Sequence, residues 1–178
     1  MEDSIFLSQS KYAKNIVKKF GMENASHKRT PAPTHVKISK DENGVFVLDI
    51  KLKPKVSHIN QVKRILKYVN GTGDYGMLYT HGSGSMLTGY CDADWAGSDD
   101  DRKSTSGGCF FLGNNLISWT KHIDIRHHFI RELVEEKIIA LEHVTTEKQL
   151  ADIFTKALDV NQFECLRGKL GICVHENL

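Results

Sequence analysis

Gly113-Asn114-Asn115 stands between two β-prone runs, Gly108 to Leu112 and Leu116 to Trp119. Gly and Asn tolerate the left-handed backbone that tight hairpin turns need. The stretch therefore commits the middle of the chain to an antiparallel strand pair. Two further short runs precede it, Tyr75 to Thr80 and Met86 to Trp95, separated by Gly and Ser. Beyond the hairpin the apolar spacing turns helical. Ile125, Phe129, Leu133 and Val134 share one face of a helix expected over Ile123 to Lys137. A brief strand, Ala140 to Val144, is expected next. A helix from Glu147 to Leu158 follows, with Leu150, Ile153, Phe154 and Leu158 on its apolar face, then one from Gln162 to Leu170 stopped by Gly171. Strands first, then helix, strand and helix, predict an α/β or α+β unit over roughly residues 75–158.

The first part of the chain has a different texture. Tyr12, Ile16, Val17 and Phe20 predict a helix over Ser8 to Phe20, ringed by Lys11, Lys14, Lys18 and Lys19 and stopped at Gly21. Asn24 to Gly44 is polar, holds Pro31 and Pro33, and has no apolar period, so it reads as a linker or surface loop. A second helix, Ser57 to Asn70, carries the stripe Ile59, Val62, Ile65, Leu66 and Val69. Its opposite face shows Lys63, Arg64 and Lys67.

Charge divides along the same line. The net charge is +2, but residues 1–80 carry a balance of +7 and residues 81–178 one of -5. Such asymmetry fits either two joined pieces or an uneven solvated surface. A 40% hydrophobic share over 178 residues suffices for a real core. No apolar run approaches a membrane span, and no basic-then-apolar leader opens the sequence, so membrane and secretory classes are not expected. Cys91, Cys109, Cys165 and Cys173 lie far apart without a CxxC pair. That spacing argues against a zinc finger or a disulfide framework and for reduced intracellular thiols.

The stretch with chemical content is Tyr90-Cys91-Asp92-Ala93-Asp94-Trp95. Strand alternation places Tyr90, Asp92 and Asp94 on one face. A carboxylate on a buried face must be paired or bind a cation, and two oxygen donors suit a hard ion such as Mg²⁺; two solvated aspartates at a strand end fit the spacing equally well. His122, His127 and His128 lie near Asp124, and zinc could use His128 with Asp124 one helical turn before it, but a third ligand is not evident and an HExxH pattern is absent.

A longer resemblance adds to this reading. YCDADWAGSDDDRKSTSGGCFFLGNNLISW (Tyr90 to Trp119) resembles the opening strands of the ribonuclease H domain in copia-type LTR retrotransposon Pol polyproteins. TKHIDIRHHFIRE (Thr120 to Glu132) and QLADIFTKAL (Gln149 to Leu158) are similar to its closing segments. FLSQSKYAKNIVKKFGM resembles the end of the same polyprotein's reverse transcriptase, and HINQVKRILKYVNGTGDYGMLY the connection into ribonuclease H. Nearly the whole chain is covered, in the family's order.

The resemblance implies a two-ion nuclease for RNA–DNA hybrids, using Mg²⁺ or Mn²⁺ held by four carboxylates. Asp92 corresponds to the first of them and Asp152, in LADIFTKAL, to the last, with Asp94 a further candidate ligand. The two in between, carried by an STEAEY-like helix and a CDN-like strand, have no counterpart, because Trp119 runs directly into Thr120-Lys121-His122. A stretch of reverse transcriptase before Ile59 is also missing, and so is the polymerase's YxDD motif. The expectation is a polyprotein fragment without ribonuclease H activity. Two alternatives stand beside it. One is a nucleic-acid-binding module using Lys63, Arg64, Lys67, Arg102 and Lys103 against phosphate; the other is a weak residual metal-dependent nuclease.

The expected organisation follows: a reverse transcriptase remnant and linker over 1–56, a connection helix and strand over 57–80, a truncated ribonuclease H-like unit over 81–158, and a C-terminal helix and tail over 159–178. The implied fold is a truncated ribonuclease H-like mixed sheet with flanking helices. Its missing fourth strand is expected to let Leu141 to Val144 close against Tyr90 to Trp95, bringing Asp152 near Asp92. One sheet face is expected to lose its cover, and the N-terminal part, a helical and partly irregular segment, to pack loosely.

Overall fold

The strand Tyr75–Thr80 is the hub of the molecule, accepting one partner from near the start of the chain and one from near its end. The computed structural model describes residues 4–34, 56–82, 84–94, 104–122, 134–138 and 140–174. Its elements run β1 (Ser4–Ser8), α1 (Ser10–Lys19), α2 (Val56–Gly71), β2 (Tyr75–Thr80), β3 (Leu87–Asp94), β4 (Thr105–Leu112) and β5 (Asn115–His122). They close with α3 (Asp152–Thr155), α4 (Val160–Lys169) and β6 (Ile172–Val174). The class is α+β. Two three-stranded sheets form, in the orders β1-β2-β6 and β3-β4-β5. Every described strand pair is antiparallel, which corrects the expectation of a mixed sheet.

The hairpin forms where Gly and Asn were placed to form it. β4 and β5 turn through Gly113 and Asn114, with Gly113 at φ 58°, and a register shift between Phe110 and Phe111 follows. Asn115 then ties the two sheets together. Its side-chain amide accepts from the Thr80 backbone N–H and donates to the Thr80 carbonyl, both at 2.9 Å. The side chain thus continues the β2 ladder as a backbone would.

Between the sheets lies one core of Cys109, Phe111, Leu116, Leu150, Leu158, Phe163, Leu166 and Leu170. Two edge-to-face aromatic pairs border it, Tyr68 on Phe163 at 5.7 Å and Tyr90 on Phe111 at 5.9 Å. Asp159 caps α4, accepting from the backbone N–H of Asn161 and Gln162, and Gly171 ends it at φ 79°. Arg167 on this helix lies 4.2 Å over the Tyr75 ring and donates to the Tyr75 hydroxyl, which fixes α4 against β2.

The N-terminal part is anchored, against expectation. β1 pairs with Gly76 to Thr80 of β2, and the irregular stretch after α1 lies on α2. Lys28 N–H donates to the Lys67 carbonyl, Asn70 Nδ2 to the Met22 and Glu23 carbonyls, and Arg64 Nη2 to the buried Thr30 hydroxyl. Arg29 forms a two-point ion pair with Glu164 on α4.

Three further expectations need correction or fall outside the described residues. Ala140 to Val144 is not a strand: it runs as irregular backbone with Leu141 63% exposed, so it does not close against β3. The expected helix from Glu147 to Leu158 shortens to turns followed by the single turn of α3. The helix over 123–137 falls on residues outside the described ones, apart from its end beyond residue 133. The face of the second sheet that points away from the core carries Leu87, Phe110 and Leu112, all exposed.

Candidate functional site

Strand alternation decides which way the β3 carboxylates point. Thr88, Tyr90, Asp92 and Asp94 are half-buried, while Leu87, Gly89, Cys91 and Ala93 are exposed, so both aspartates share the inner face. Across the β3–β4 ladder Asp92 lies opposite Gly107. A Cβ at Gly107 would stand 2.8 Å from Phe154 Cβ and 3.0 Å from Thr155 Cγ2. α3 therefore rests directly on the backbone of β4, beside Asp92. Gln149 steadies the approach, its Nε2 donating to the Cys91 carbonyl and its Oε1 accepting from Ala151 N–H.

That docking assembles a four-residue polar cluster. Thr155 Oγ1 donates to Asp92 Oδ2 at 2.5 Å. Lys156 Nζ donates to Asp152 Oδ1 at 2.7 Å and to Asp92 Oδ1 at 3.3 Å, so one ammonium bridges both carboxylates. The Asp152 side chain is 1% exposed, that of Asp92 16% and that of Lys156 39%. Burial pulls the Lys156 ammonium down, but the Asp152 hydrogen bond and the charges of both aspartates outweigh it and hold it above the ordinary lysine range. Asp152 Oδ2 is buried and has no hydrogen-bond partner among the described residues.

Sequence reasoning thus paired Asp92 with Asp152 for a strand contact that does not exist, and the two meet by another route. Asp94 lies two residues along the same face, opposite Thr105. Lys156, Thr155 and Gly107 were missed. The i, i+4 spacing of Asp152 and Lys156, an ion-pair spacing on a helix, was the signal present for the first of them.

The cluster does not fit a two-ion Mg²⁺ or Mn²⁺ centre. Two ions need several bridging and terminal oxygens, and here three of the four carboxylate oxygens of Asp92 and Asp152 already accept from Lys156 or Thr155. Among the described residues no group of three or more His, Cys, Asp or Glu is placed to hold a metal. Of the candidate phosphate contacts, Lys63 is exposed on α2, Arg64 is turned inward to Thr30 and Ala32, and Lys67 is half-buried. Arg102 and Lys103 lie outside the described residues.

No family model matches the chain, and no solved structure does. The chain is similar to the retrovirus-related Pol polyprotein from transposon TNT 1-94 of Nicotiana tabacum, at 26% identity over 97% of this chain and 20% of that protein. It is also similar to the retrovirus-related Pol polyprotein from transposon RE1 of Arabidopsis thaliana, at 28% identity over 67% of this chain and 13% of that protein. An uncharacterised mitochondrial protein of Arabidopsis thaliana is 32% identical over 65% of this chain and 60% of its own length. The alignment with the tobacco polyprotein runs over 275 positions against a chain of 178 residues, so that relative carries segments absent here. By sequence the chain is similar to retrovirus-related Pol polyproteins of plant transposons, consistent with a fragment of a copia-type retrotransposon Pol polyprotein, and it spans only a minor part of such a polyprotein's length.

Proposed function

We propose that the chain is a polyprotein-derived fragment carrying a remnant ribonuclease H-like unit that no longer hydrolyses RNA–DNA hybrids. The observation that carries this reading is the Lys156 ammonium bridging Asp92 and Asp152. In-line hydrolysis by two ions needs carboxylates free to share them, and this pair is bridged by a side-chain ammonium instead. The antiparallel β3-β4-β5 meander, with Asp92 on its core side, agrees with the opening strands that the resemblance implies. The STEAEY-like and CDN-like segments, which would supply the other two ligands, have no counterpart in the sequence. On this reading the hybrid substrate and the Mg²⁺ or Mn²⁺ ions belong to the intact relatives, and this chain holds neither ion tightly.

The test is cleavage of a labelled RNA–DNA hybrid by the purified chain in Mg²⁺ and in Mn²⁺, beside Asp92→Asn. No cleavage above a protein-free control is expected from either. Metal-dependent cleavage that disappears in Asp92→Asn overturns the reading.

A further inference from the structure

We propose that Lys156 is a tethered cation that keeps divalent ions out of the Asp92–Asp152 pair, and that removing its charge alone opens the pair to a single divalent ion. The inference rests on the reading of these two aspartates as a remnant metal pair. One oxygen of each converges on the same ammonium, at 2.7 and 3.3 Å. Two anionic oxygens aimed at one point suit any cation that reaches it. The second oxygen of Asp152 is buried, in a side chain 1% exposed, with no hydrogen-bond partner among the described residues, and is thus a spare anionic oxygen beside the first.

Competition favours the lysine for a physical reason. Lys156 lies four positions after Asp152 in the same chain, so its ammonium is present at an effective concentration of roughly millimolar or above. A divalent ion bound by two carboxylates keeps most of its water and binds weakly, so it does not displace a cation already in place. Replacing the ammonium with an uncharged side chain reverses the balance. Two half-buried or buried carboxylates then face each other with no cation between them, an arrangement that a dication relieves.

The experiment follows free Mn²⁺ by electron paramagnetic resonance during titration with the full chain. Compared are wild type, Lys156→Met, Lys156→Arg and the double variant Lys156→Met/Asp152→Asn. Expected is binding about tenfold or more tighter in Lys156→Met than in wild type or Lys156→Arg, lost again in the double variant. Equal Mn²⁺ binding by wild type and Lys156→Met overturns the proposal, as does binding by Lys156→Met that survives Asp152→Asn. Thermal unfolding with and without Mn²⁺ covers a poorly folded variant. Lys156→Met should gain stability with Mn²⁺ while wild type does not, and a variant that stays unfolded in Mn²⁺ also counts against the proposal. Mn²⁺ binding by Lys156→Met without hybrid cleavage leaves the proposed loss of activity standing, whereas cleavage by wild type removes that reading and not this one.

Discussion

Gly107 faces Asp92 across the β3–β4 ladder, and the side chain it lacks is the space that α3 occupies. Contact between a helix and a sheet backbone this close leaves no room for a methyl group. Gly107→Ala should therefore lift α3, break the Thr155–Asp92 hydrogen bond and separate Lys156 from Asp92, at about 1–3 kcal/mol of stability. Urea denaturation of the variant checks the magnitude. A variant as stable as wild type would mean that α3 shifts without loss.

Asp159 makes a second, independent prediction at the start of α4. Its carboxylate accepts from two backbone N–H groups that have no partner within the helix. Asp159→Ala should lower stability by about 1 kcal/mol, while Asp159→Asn, which keeps the acceptor, should lose less. Thermal melts of the two variants side by side provide the comparison.

Alkaline pH should weaken the fold from two places. Burial pushes the Cys109 thiol up to about 11 from an ordinary value of 9.0, against a smaller lowering by its Tyr90 backbone hydrogen bond. Below pH 9 the thiol is neutral in both folded and unfolded chains and its contribution is complete. Between about 9 and 11 the unfolded chain ionises first, so stability falls as pH rises, by about 2–3 kcal/mol in all. Lys156, whose ammonium is also held above its ordinary range, contributes stability that is complete below that range and is lost as pH rises through the raised value. Urea midpoints measured from pH 7 to 11 should decline above pH 9, and Cys109→Ala should flatten the first part of the decline.

Asn115 supports a prediction that is local rather than global. Replacing it with Ala removes both hydrogen bonds to the Thr80 backbone, a loss of about 1–2 kcal/mol. Hydrogen exchange at the Thr80 amide should accelerate more than at Leu78, whose N–H is held by the Gly171 carbonyl at 3.0 Å. Equal acceleration at both would show that Asn115 acts only through overall stability.

Local signals explain what could be read from the chain. β2 and α2 emerge nearly at their expected bounds, and the Gly-Asn turn fixes β4 against β5, because apolar period and turn chemistry act over a few residues. β1 and β6 were not legible. Five and three residues long, they become strands only because β2 offers each an edge, a cause that lies far away in sequence. Ala140 to Val144 fails in the opposite sense: its residues suit a strand, but among the described elements no edge receives it. At the site, the resemblance supplied Asp92 and Asp152, and alternation supplied the face of Asp92. Their approach depends on Gly107, and nothing in a sequence period says which glycine a helix will lie on.

The position of β6 bears on how the molecule is made. Ile172–Val174 pairs with Tyr75–Met77, and the core they share includes Leu166 and Leu170. During synthesis, the first sheet stays one strand short and its side of the core open until Ile172–Val174, far behind β2 in sequence, have left the ribosome. Such long-range closure slows folding and prolongs the exposure of apolar surface. The waiting period, rather than the finished fold, is where this chain is most open to aggregation and proteolysis.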